Sequence, residues 1–144
     1  MTDIPIPPHS SASEQALIGS ALTDPQVYER VADLVRAEDF YQANHRVIWA
    51  TLATMAEGNH PLDIFTVAER LERDGNLEEA GGLAYLGTLA CGSVTSANSR
   101  AYAGHVREAA TKRALIAAGS EQIDAAYNPE GREARELLAE AQDR

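Results

Sequence analysis

Cysteine occurs once in the 144 residues, at Cys91, so an intramolecular disulfide is impossible and a bridged secreted scaffold is excluded. The solitary thiol reads as a small apolar core residue. Lysine is also single, Lys112, and the formal charge is -10. That balance argues against a surface that neutralises phosphates, because non-specific nucleic-acid affinity comes from Lys and Arg releasing counterions. A local cluster of Arg107, Lys112 and Arg113 lies close enough in sequence to touch nucleic acid, but no strong direct DNA binding is expected. Nothing approaches the roughly 18 apolar residues of a membrane span. No basic segment followed by an apolar run opens the chain either, so it reads as soluble and cytoplasmic. No stretch alternates as a half-buried strand would. What remains is about one domain, long enough to bury a core without a disulfide or metal staple.

Nearly every periodic stretch has helical spacing, which makes the chain all-α. Residues 1–10 are proline-rich, and Pro5, Pro7 and Pro8 forbid a helix, so an extended arm is expected there. Ser11 and Glu14 have the spacing of a capping box for a first helix that buries Leu17, Ile18, Ala21 and Leu22. Asp24-Pro25 restarts the chain with a cap and a proline at the first helical position. Val27, Tyr28, Val31, Leu34 and Val35 fill the second helix. Val47, Ile48, Leu52 and Met55, with the only tryptophan, Trp49, mark a third that Gly58 ends. Asp63 suits a cap for residues 64–74, where Glu69 can pair with Arg73, and Gly75 suits the left-handed residue that ends a helix. Residues 83–91 make a short apolar helix.

Residues 98–127 contain no proline, and their apolar side chains fall on a seven-residue repeat: Tyr102, Ala109, Ile116 and Ile123 at one position, Val106 and Tyr127 at the other. Arg113 and Ser120 interrupt that seam. Asn128-Pro129-Glu130-Gly131 is turn chemistry, and Leu137, Leu138 and Ala141 supply another helical face. The expected architecture is a globular bundle of about five to six helices followed by an antiparallel helical hairpin. Its divisions are an arm over 1–10, the globular subdomain over 11–95 and the hairpin over 96–144. Two helices alone bury little, so the hairpin must dock on something, and another copy of the chain is favoured.

Reaction chemistry is missing. There is no G-x-x-x-x-G-K-[ST] loop to cradle nucleotide phosphates, so this chain alone should not hydrolyse ATP. His9, His45, His60 and His105 are widely separated, with no paired metal-ligand spacing. A general-base role for His45 is conceivable, but a structural hydrogen bond at the start of its helix is the stronger reading. Gly81-Gly82 follows no strand and reads as a tight helix-to-helix turn rather than a phosphate loop. No catalytic, cofactor-binding or metal-binding residue is assigned.

Several segments nevertheless occur in a telling order. They are Pro7-Pro8-His9-Ser10 followed by Glu14-Gln15; Glu38-Asp39-Phe40-Tyr41; His45-Arg46; Pro61-Leu62-Asp63; Gly81-Gly82-Leu83-Ala84-Tyr85-Leu86; Ala97-Asn98; and Tyr102-Ala103 followed by Val106-Arg107-Glu108. Together they resemble the N-terminal domain of the bacterial replicative DNA helicase, the DnaB-like family, over nearly the whole chain. The resemblance implies a helical bundle and hairpin that precede a linker and a RecA-like ATPase motor, with ATP and magnesium used only in that motor. It implies self-association through the hairpin as a dimer, or as a trimer of dimers in a hexameric collar. It also implies docking of the helicase-binding domain of primase, with a helicase loader as a further partner. By the same analogy Tyr85 and Ile116 are the positions for partner contact, and Tyr102, Val106, Ile123 and Tyr127 those for self-association. The family's usual Leu-Arg-Arg-Leu-Ile run is here Lys112-Arg113-Ala114-Leu115-Ile116, which loses one apolar anchor and one arginine. The competing reading is a free-standing helicase adaptor or loader-like interaction protein. A P-loop ATPase encoded after Arg144 would mark the first reading and a stop codon the second.

Overall fold

A computed structural model describes residues 6–92 and 96–143, and over those residues it is all-α, with no strand. Of the expected arm, residues 1–5 lie outside the described part, and Ile6 to Ser10 form no helix. By its contacts the described chain divides into one compact unit, His9–Ala110, and a second that holds residues 111–143 together with residues 6–8.

In the first unit, α1 (Ser11–Thr23) is capped one residue earlier than the sequence pattern suggests, because the Ser10 hydroxyl accepts the Ser13 amide at 3.2 Å. The Ser11–Glu14 capping box does not form. Glu14 lies three and four residues before Leu17 and Ile18, which puts it on the buried face of the helix, where its carboxylate is used elsewhere. The second helix is shorter than its apolar spacing suggests. Asp24 accepts the Gln26 amide, α2 covers only Val27–Val31, and Val35 reaches the core from the turn beyond. After a 3-10 turn at Ala37–Asp39, α3 (Ala43–Glu57) carries Ile48, Trp49, Leu52 and Met55 inward and ends at Gly58. Trp49 meets Phe40 at 5.2 Å and Tyr28 at 5.5 Å between ring centroids, an aromatic cluster at the centre of the bundle.

Asp63 caps α4 (Ile64–Arg73) through the Phe65 and Thr66 amides, both at 3.0 Å, and Gly75 at φ +76° takes the left-handed turn beyond it. A one-turn helix not evident from the sequence, α5 (Leu77–Ala80), leads to Gly81 and Gly82, whose φ angles of +108° and +82° make the tight turn into α6 (Gly82–Cys91). A β-carbon on Gly81 would come within 2.8 Å of the Tyr85 ring, so the turn and the ring are fitted to each other. The first three turns of α7 (Ser99–Tyr127) belong to the same unit and contribute Ala103 and Val106 to its core.

The second unit holds the rest of α7, the turn through Asn128 and Gly131, and α8 (Ala134–Gln142). Glu121, Gln122, Ala125 and Ala126 share a groove with Leu137 and Ala141, which makes the pair a hairpin. No residue of α8 is fully buried.

Two substitutions test these local arguments in urea unfolding. Asp63→Ala removes a cap and is expected to cost about 1 kcal/mol. Gly81→Ala, which strains the backbone and displaces Tyr85, is expected to cost more, on the order of 1–3 kcal/mol. An unchanged midpoint for Gly81→Ala would refute the proposed fit between turn and ring.

Candidate functional site

Three helices of the bundle each begin an apolar stripe with a polar side chain: Glu14 on α1, His45 on α3 and Tyr85 on α6. The fold joins them into one chain of hydrogen bonds. Glu14 Oε1 lies 2.7 Å from His45 Nδ1, and His45 Nε2 lies 2.6 Å from the Tyr85 hydroxyl. Glu14 also accepts the Tyr41 amide at 2.8 Å and the Gln42 amide at 3.4 Å. Both Glu14 and His45 are buried, at 1% and 0% exposure. Burial pushes the Glu14 carboxyl up, but the bond from His45 and the two backbone amides outweigh it and hold the group below its ordinary 4.5. An ionised carboxylate only accepts, so His45 Nδ1 donates to Glu14, while the direction of the bond between Nε2 and the Tyr85 hydroxyl follows the protonation of the ring. The His45 ring does not close its own helix start, as the sequence suggests it should; it hydrogen-bonds instead to side chains on α1 and α6.

The start of α7 is fixed to this bundle by its own contacts. Arg107 donates to Asp39 Oδ1 at 2.8 Å, while Asp39 Oδ2 accepts the Arg36 amide at 2.8 Å. Arg100 reaches the Arg30 carbonyl and Asp33, and Ser13 Oγ lies 3.2 Å from His105 Nδ1. Arg113 donates to the Pro8 carbonyl at 2.8 Å. Two of the three basic residues considered for nucleic acid are thus engaged by the protein itself.

The six candidate contact residues separate by environment. Val106 is 1% exposed and packs in the core of its own unit, and Tyr102 is half-buried against that core. Tyr85 is half-buried, with its hydroxyl committed to His45. Ile116, Ile123 and Tyr127 are exposed, at 54%, 61% and 82%. At about 100° per residue they form one stripe roughly opposite the α7 residues that face α8. Leu115 and Leu138 are exposed as well. Cys91, expected in the core, is exposed at the end of α6. Its α6 neighbours Leu89 and Ala90 take the inward positions. Among the described residues no group of three His, Cys, Asp or Glu side chains converges to hold a metal, and no helix is long and apolar enough to cross a membrane.

Comparison with known proteins places the signature segments in one family. A family model of the DnaB-like helicase N-terminal domain matches residues 6–108. The replicative DNA helicase DnaB of Haemophilus influenzae is 35% identical over 96% of this chain and 30% of its own length. That of Geobacillus stearothermophilus is 38% identical over 77% of the chain and 24% of its own length. The crystal structure of the N-terminal domain of DnaB helicase from Mycobacterium tuberculosis superposes with a TM-score of 0.92 at 33% identity, over 96% of each chain. A DnaB-like replicative helicase, solved in work on its interactions with primase, superposes at 0.74 with 26% identity over 92% of this chain and 31% of its own. The chain therefore spans about a third or less of these full-length relatives.

The buried chain has an acid signature. The folded pKa of Glu14 lies below its unfolded value, so its contribution to stability is full above about pH 4.5 and is lost as pH falls through the lowered folded value. Glu14→Gln is expected to flatten that acid limb in a pH series of thermal unfolding; an unaltered limb would show that other carboxylates set it. His45→Ala leaves the carboxylate without its imidazole partner, and denaturant titration should register a loss of about 3–5 kcal/mol.

Proposed function

The chain belongs to the family of DnaB-like helicase N-terminal domains, and on that premise we propose that it is the assembly and primase-recruitment domain of a hexameric replicative helicase. The observation that carries the reading is the exposed stripe of Ile116, Ile123 and Tyr127 on α7, in a family whose solved relative was described with its interactions with primase. Large apolar side chains held on a rigid helix face and left uncovered supply the anchors that protein interfaces use. Pairing of hairpins from two copies would cover the stripe. Primase would dock through its helicase-binding domain at a surface that includes Ile116, with Tyr85 acting from within the bundle. A helicase loader is a further partner of the same kind.

ATP hydrolysis and DNA unwinding would belong to the motor part of full-length family members. The present sequence contains no phosphate-cradling loop, and its residues do not fit a nucleotide–magnesium site, so no catalytic step is assigned to it.

Calorimetric titration with the helicase-binding domain of primase from the same source, at low and physiological salt, tests recruitment. Saturable heat at micromolar concentrations is expected. Ile116→Asp should weaken it by about tenfold or more, as loss of an anchor residue does. The same substitution should reduce self-association in sedimentation while the helical signal and unfolding midpoint of the bundle stay unchanged. Absence of heat at either salt would defeat the primase reading and leave a collar that assembles without primase, or an adaptor with another partner. Collapse of the whole domain in Ile116→Asp would make Ile116 a core residue.

A further inference from the structure

A groove of about 490 Å³ opens on the first unit along the outer face of α3. Val47, Ala50, Thr51 and Thr54 form its floor, at positions i, i+3, i+4 and i+7 of one helix face, so the floor is about two turns long and carries neither a charge nor a large side chain. Such a floor lets a second helix come close. The 3-10 turn at Ala37–Asp39 flanks it, as do the end of α4 and the short α5. Charge-assisted bonds hold these flanks in place. Arg46 Nη1 donates to the Phe40 carbonyl at 3.0 Å and to the Tyr41 carbonyl at 2.7 Å, which ties α3 to the exit of the 3-10 turn, and Arg70 Nε donates to Asp74 Oδ2 at 3.1 Å across the end of α4. The groove is therefore preformed, which lowers the cost of filling it.

We propose that this groove seats a basic amphipathic helix of another protein, which lays small residues on the α3 floor and directs Arg or Lys side chains to the flanks. Charge selects the occupant. With Arg70 neutralised by Asp74, two exposed carboxylates, Glu38 and Glu79, face one guanidinium, and that guanidinium is turned to backbone carbonyls. Glu38 pairs with Arg36 at 3.9 Å, but both side chains are largely exposed and such a pair is worth little in water. Glu79 enters no ion pair among the described residues. The formal charge of -10 draws a cationic helix toward the chain and repels an acidic one. A helix fits better than an extended peptide, because the described residues offer no strand edge to lengthen and the floor is itself a helix face. None of these elements carries the Ile116 stripe, so the proposal does not depend on the hairpin reading.

The probe is an alanine-based helical peptide of about 15 residues with arginines at i, i+4 and i+8, and its control carries glutamates at those positions. Each is titrated into the isotope-labelled 144-residue chain and followed by the amide signals in NMR. The arginine peptide is expected to shift the amides of Ala50, Thr51, Thr54 and Glu79 saturably, and the glutamate peptide to leave them in place. Glu38→Gln combined with Glu79→Gln should weaken binding about fivefold or more, and raised salt should weaken it too. Ala50→Trp, at an exposed position, should fill the groove and abolish the shifts while the unfolding midpoint stays unchanged. Ile116→Asp should leave the titration unaltered, which separates this site from the hairpin. The proposal is overturned by no shifts, by shifts spread over the acidic surface of the chain, by an equal response to the glutamate peptide, or by full binding to the Glu38→Gln, Glu79→Gln variant. Concentration-dependent shifts of the same amides without peptide would overturn it as well, because the occupant would then be a second copy.

Discussion

A carboxylate in the middle of a helical bundle is tolerated only when its lone pairs are occupied, because withdrawing an ion from water costs several kcal/mol even after relaxation. Glu14 meets that condition by recruiting donors from widely separated parts of the chain: the imidazole of His45 on α3 and the amides of Tyr41 and Gln42 just before it. His45 in turn holds Tyr85 on α6. Apolar contacts among Leu17, Ile48, Trp49 and Leu86 tolerate small shifts of one helix against another, whereas a run of bonds between 2.6 and 2.8 Å does not. The network therefore fixes the register in which α1, α3 and α6 pack. The Gly81 turn, fitted against the Tyr85 ring, follows from that register.

This also explains why the family resemblance is scattered through the sequence. Glu14, His45 and Tyr85 each sit in a separate signature segment, and the fold brings the three segments to one place. The helices themselves were legible in the apolar spacing, the Asp63 cap and the glycines at 75 and 81. What local pattern could not give was the role of Glu14. A serine followed three residues later by a glutamate is also a capping box, and only the position of that glutamate on the same face as Leu17, Ile18 and Ala21 hints at burial. The end of α2 departs from the apolar pattern for a related reason, since Val35 remains apolar and buried whether or not the backbone there is helical. Val106 and Tyr127 share one position of the heptad pattern, yet one is in the core and the other is 82% exposed. Periodicity reports that a helix has an apolar side, not what covers it.

The match to the family model ends at residue 108, close to Ala110, where the compact bundle also ends. Up to that point most side chains answer to neighbours in the same chain: Ala103 and Val106 to the core, Arg107 to Asp39. Beyond it, α7 and α8 bury nothing fully, and the groove between them is lined by alanines, leucines and polar side chains together. A segment whose large side chains are left to an outside surface answers to that surface rather than to its own bundle.

Because one continuous helix carries both the α8-facing residues and the Ile116, Ile123 and Tyr127 stripe on its opposite side, its length is not freely adjustable. Inserting a single residue near Ser120 would swing Ile123 and Tyr127 by about 100° relative to Ile116 and split the stripe. Inserting seven would return them to within about 20°. Length variants of this hairpin should therefore be admitted only in steps close to whole helical turns, about 7, 11 or 18 residues, so that gaps in the aligned hairpins of its relatives would be quantised while those in the loops of the bundle would not.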